Sequence, residues 1–133
     1  MGVNFPNRVA VEFDTFVNHE YNDPAVPHVG IDIGGNLNSA TASSPISFNN
    51  GAVWYVWVDY VASSQNLQVR VSSTSAKPLN ATISSTVNLF TTTLGFSSTM
   101  YLGFGGASGA DLETATVLSW QATIADKPNS SSL

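Results

Sequence analysis

The 133-residue chain contains no cysteine and only four lysine or arginine residues. The first absence rules out disulfides, thiolate metal ligands and a cysteine nucleophile, and it leaves the redox compartment open. The second argues against nucleic acid, because phosphate binding requires clustered cations. With nine acidic residues and a net charge of −5, the chain is also unsuited to an anionic membrane surface. No run approaches the roughly 20 apolar residues of a membrane-spanning helix, so no membrane insertion by this chain is expected. The opening Met1-Gly2-Val3-Asn4-Phe5-Pro6 does not read as a secretory signal. Charged residues amount to 10%, against roughly 25% in ordinary soluble domains. Solubility therefore rests on the abundant Ser, Thr, Asn and Gly. The length suits one domain. Asn80-Ala81-Thr82 and Asn129-Ser130-Ser131 match the N-glycosylation acceptor pattern, which arises easily by chance in such a composition.

Strand signals dominate what is present. Val9, Val11 and Phe13 alternate with Ala10, Glu12 and Asp14, and Val29, Ile31 and Ile33 alternate with His28, Gly30 and Asp32. Residues 51–60 are apolar on both faces, as expected of a strand covered from both sides, and core packing is the expectation for Trp54, Tyr55 and Trp57. Ser63-Ser64-Gln65-Asn66 reads as a turn, after which Leu67, Val69 and Val71 alternate with Gln68, Arg70 and Ser72. Further strands are expected around 79–84, 99–104 and 115–124. Short strands separated by turn signals point to an all-β antiparallel sandwich or barrel.

The chain is poor in charge, yet one stretch gathers it: "VAVEFDTFVNHEYNDPAVPHVGIDI", residues 9–33. Glu12 and Asp14 leave the same strand face, roughly 6–7 Å apart at the backbone. Two like charges so placed repel unless a cation lies between them. A loop offering Asn18 and Asp23 follows, Pro24 and Pro27 stiffen its exit, and His28 opens the next strand. Hard oxygens suit Ca2+, and carboxylates with one imidazole suit a transition ion such as Mn2+. Two ions sharing carboxylates would employ every member of the set. The alternative is an acidic loop that caps a strand, with His28 an ordinary core partner.

This stretch resembles the metal-binding segment of the legume (L-type) lectins, and "MYLGFGGASGADLETATVLSW", residues 100–120, resembles that family's sugar-specificity loop and closing strand. The likeness runs over 9–124, leaving 1–8 as an N-terminal extension and 125–133 as a linker or tail. It implies a legume-lectin jelly-roll β-sandwich, of which this chain carries the second half and needs a complementary chain or homo-oligomer. By the same resemblance, Asp14, Asn18, Asp23 and the Phe16 carbonyl hold Ca2+, while Glu12, Asp14, Asp23 and His28 hold Mn2+. The Phe16 ring is expected to pack inward. A serine supporting the manganese site has no clear match, and its position falls on Asn38, beside Ser39. Asn18 also turns its amide toward a sugar hydroxyl, so the ions do no chemistry and fix the loop that presents it.

Gly105-Gly106-Ala107-Ser108-Gly109-Ala110-Asp111 has a logic of its own, since glycines let the backbone approach a ligand and donate N–H groups. In mannose- and glucose-binding members a loop this short holds the sugar, with Gly109, Ala110 and Asp111 at the donating positions. The bland reading is a flexible turn. The expected function is metal-dependent, reversible carbohydrate binding without catalysis, in a secreted or vacuolar plant protein. One rival is a structural assembly module whose metals only stabilise it. Another is a β-sandwich glycoside hydrolase, to whose E-x-D signature Glu12-Phe13-Asp14 is similar. That chemistry needs a second carboxyl group across a cleft, and Phe16, Val17 and Asn18 stand where it would follow.

Overall fold

The computed structural model describes residues 7–19, 23–24, 27–43, 47–92, 99–108 and 112–125. Within them are six strands, β1 (Val9–Asp14), β2 (His28–Ile33), β3 (Asn36–Ser43), β4 (Tyr55–Val61), β5 (Asn66–Ser72) and β6 (Ile83–Thr86), and one four-residue helix, α1 (Leu89–Thr92). They form two antiparallel three-stranded sheets in the orders β1-β2-β3 and β4-β5-β6. The expected all-β class is observed.

Each sheet follows from alternation and turn chemistry. The β1–β2 ladder pairs Val9 with Ile33, Val11 with Ile31 and Phe13 with Val29, so the apolar rows coincide on one face. Gly34 and Gly35 sit at φ of 62° and 86°, and β2 returns into β3 through these two residues. Mirror-image turns of this kind match strand twist and need residues that tolerate positive φ. Between β4 and β5 the turn closes with Gln65 N–H donating to the Ala62 carbonyl, and Gln65 itself takes φ 53°. Asn88 caps α1, its side-chain oxygen accepting from Thr91 N–H at 3.2 Å.

The core lies between the sheets. Val29 and Ile31 of β2 meet Leu67, Val69 and Val71 of β5, with Ile83 and Val87 beside them. Phe48 joins the rim by edge-on contacts to Phe13 at 5.4 Å and Trp54 at 5.7 Å. Tyr60 ties the end of β4 to the chain leaving β6: its hydroxyl donates to the Val87 carbonyl at 3.0 Å and accepts from Leu89 N–H.

Four expectations are corrected. Residues 99–104 and 115–124 join neither sheet among the described residues. Their alternation defines faces, and Phe104 meets Trp120 edge-on at 5.7 Å, but a strand also requires a neighbouring ladder. The strand expected at 79–84 begins at Ile83; at Thr82 the N–H donates to the Val69 carbonyl while the side-chain Oγ1, not the backbone carbonyl, accepts from Val71 N–H. The strand around 51–60 starts at Tyr55 and is not covered on both sides: Val56 and Val58 remain 40% and 52% exposed. Tyr55 and Trp57 stack on each other at 6.4 Å on the face opposite the core, and of the three aromatics expected to pack inward only Trp54 meets the core cluster. No strand was expected at β3, which carries little apolar signal in NLNSATAS and follows the glycine turn.

Candidate metal centre

The polar face of the β1–β2 ladder builds the site. The register sets Glu12 opposite Gly30, Asp14 opposite His28 and Ala10 opposite Asp32, so the side chains that alternation removes from the core converge on one patch. The loop leaving β1 then folds back. Asp14 Oδ1 accepts from Phe16 N–H at 2.7 Å, the short-range bond by which aspartate turns a chain. Asp23 Oδ2 accepts from Asn18 N–H at 2.6 Å, and Asp23 N–H donates to the Asn18 carbonyl at 3.4 Å. These bonds carry Asp23 back over the strand end, where Asp14, Asp23 and His28 each bring a ligand atom within 4.8 Å of the others.

His28 is the most telling member. It is fully buried, and neither ring nitrogen makes a hydrogen bond. Nε2 lies 3.5 Å from Glu12 Oε1, an ion-pair separation at the outer edge of hydrogen-bond reach. A buried imidazole left this way is costly, and coordination to a cation is one way to satisfy it. Burial is the main force pushing Glu12 from an ordinary 4.5 to about 6, with the nearby Asp32 and then Asp14 adding to the rise and His28 opposing it. Anionic groups are thus crowded around one buried imidazole, which approaches Glu12 but makes no hydrogen bond within the normal distance range. A mixed oxygen and nitrogen donor set under mutual repulsion fits a divalent cation.

Of the sequence-derived candidates, the fold brings together Asp14, Asp23 and His28, with Glu12 against His28, and it ties the backbones of Phe16 and Asn18 to the two aspartates. Phe16 is 60% exposed, a correction to the inward packing expected, and it lies past the end of β1 in a turn where its N–H bonds Asp14. His19 is exposed. Gly109, Ala110 and Asp111 lie outside the described residues, as do the side chains of Asn38 and Ser39. After the glycine-rich loop, Glu113 accepts a hydrogen bond from Thr15 Oγ1, which joins that segment to the residue following Asp14. Two participants escaped the sequence reading, Gly30 and the buried Asp32. Both share the face of His28, a signal available in the alternation.

Comparison with known proteins identifies the family. The profile of the legume lectin domain matches residues 4–133. The Flt3 receptor-interacting lectin of Lablab purpureus is 34% identical over 88% of this chain and 40% of its own length. The lectin alpha chain of Macropsychanthus bicolor is 33% identical over 92% of this chain and 48% of its own. A probable L-type lectin-domain containing receptor kinase VII.2 of Arabidopsis thaliana is 31% identical over 84% of this chain, but over only 18% of its own length. Among solved structures, peanut lectin with a 9mer peptide superposes with a TM-score of 0.51 at 35% identity, covering 68% of this chain and 37% of that one. The chain therefore spans less than half the length of these relatives. It belongs to the legume lectin domain family.

Proposed function

We propose that this chain contributes a two-cation site to a reversible carbohydrate-binding protein, with Ca2+ on Asp14, Asn18, Asp23 and the Phe16 carbonyl, and Mn2+ on Glu12, Asp14, Asp23 and His28. The observation that carries the reading is the fully buried His28, without hydrogen bonds, beside the carboxylates of Asp14 and Asp23. The ions supply positive charge that allows these carboxylates to stay close. The chain's own residues do the rest. Asp14 and Asp23 each hold a loop amide through one side-chain oxygen, at Phe16 and Asn18, and so couple cation binding to loop shape. Asn18 then offers its side-chain amide to a sugar hydroxyl from a backbone fixed on both sides of the loop. Gly109, Ala110 and Asp111 supply backbone donors, and the short loop favours a mannose- or glucose-type ligand.

The lectin names of the relatives support saccharide binding, and the plant lectins and receptor kinases among them support a location outside the cytoplasm, secreted or vacuolar. Among the described residues no helix is long and apolar enough to cross a membrane. The exposed Val56 and Val58, neighbours on one face of β4, support pairing with a complementary lectin chain or a second copy. It also favours the alternative of an assembly module whose cations only stabilise it. Two measurements separate the readings. Replacing Asp14, which with Asp23 is common to both ion sets, by Ala should remove both metals by elemental analysis; full metal content would refute the assignment. The native assembly should be retained on mannose-agarose and released by free sugar or chelator, whereas a purely structural module would pass through.

A further inference from the structure

We propose that Gly30 is a positioning residue for the cation site: its missing side chain is the space in which the Glu12 carboxyl group rests. The inference builds on the metal reading above. Gly30 is buried in the middle of β2, paired with Glu12 on one side and Thr41 on the other. Glycine weakens a strand interior, so its presence there calls for a reason. Backbone conformation does not supply one. Among the described glycines, positive φ occurs at Gly34, Gly35 and Gly51, and not at Gly30.

Space does supply a reason. A Cβ at residue 30 would stand 2.3 Å from Glu12 Oε1, 2.7 Å from its Cγ and 2.9 Å from its Cδ. The three nearest atoms all belong to that one side chain and none to the backbone. A methyl group here would therefore leave the ladder in place and expel the Glu12 carboxyl group from its position over the strand. That position holds Oε1 3.5 Å from His28 Nε2, within the proposed manganese set. Neighbouring positions on this face explain why the carboxyl group has nowhere better to go. Asp14 and His28 occupy the next cross-strand pair toward the loop, and Ala10 with the buried Asp32 the pair beyond. Displaced in either direction, Glu12 meets another carboxylate or leaves the site.

The test compares wild type, Gly30→Ala, Glu12→Ala and the double variant, each as the full chain, by Mn2+ titration followed by electron paramagnetic resonance and by thermal unfolding in EDTA. Gly30→Ala should weaken Mn2+ binding by about 10–100-fold, the usual effect of disturbing a residue that orients a ligand. In EDTA its unfolding midpoint should equal or exceed that of wild type, since alanine at an unstrained position restricts the unfolded chain. In the Glu12→Ala background the Gly30 change should cost no further affinity, because its route of action has gone. Unchanged Mn2+ affinity in Gly30→Ala, beside a weakened Glu12→Ala, overturns the inference and leaves the metal reading standing. Wild-type affinity in Glu12→Ala overturns both. A lowered midpoint in EDTA, or an additive loss in the double variant, assigns Gly30 a structural role and overturns the inference.

Discussion

Replacing Glu12 by Gln should stabilise the metal-free protein at neutral pH and remove its response to manganese. In the folded chain Glu12 takes up its proton at about 6, compared with 4.5 for an ordinary glutamate, chiefly because burial penalises its charge and secondly because Asp32 lies near. A carboxylate whose folded value is raised holds its proton more tightly when folded. Its favourable contribution is therefore complete below pH 4.5 and is lost as the pH rises through 6. The interval corresponds to about 2 kcal/mol, an order-of-magnitude figure for a side chain that is 27% exposed. Glutamine keeps the shape and discards the charge. In EDTA at pH 7.5 the variant should then melt roughly 5–10 °C above wild type, given the usual relation between free energy and midpoint for domains of this size. At pH 4 the two should coincide. Saturating Mn2+ should raise wild type by about 3 kcal/mol at a hundredfold excess over its dissociation constant and should raise the variant far less. Differential scanning fluorimetry across pH, with and without Mn2+, reads all of this. A variant no more stable than wild type at pH 7.5 in EDTA would refute the argument that the site strains the apo protein.

Two further outcomes test the sandwich itself. Ile31→Ala removes a fully buried side chain from between the sheets and should cost about 2–5 kcal/mol in urea unfolding. Tyr60→Phe deletes the hydroxyl that bonds Val87 and Leu89 and should cost about 1 kcal/mol, read by the same titration.

How far the sequence reached depends on the range of the interaction. The alternation in β1 and β2 is local, and the observed strands, Val9–Asp14 and His28–Ile33, coincide with the alternating runs. The donor set was legible for the same reason, since alternation fixed which side chains share a face and the loop residues follow in order. Strand pairing is not local. Residues 99–104 and 115–124 alternate as clearly as β5 does, yet join no ladder among the described residues. Conversely β3, with few apolar residues, forms because a two-glycine turn returns it alongside β2. The exposed Phe16 sits in a turn where its N–H bonds Asp14, a local contact that composition does not reveal. The role of Gly30 was hidden for a similar reason: absent atoms matter only once the opposing residue, Glu12, is known.

Cation control of saccharide capture is tested by calorimetry. The native assembly is titrated with a mannose-type glycan by isothermal calorimetry as isolated, after EDTA treatment and dialysis, and after restoring Ca2+ and Mn2+. Binding should vanish with the ions and return with them. Undiminished glycan affinity in verified metal-free protein would contradict the account.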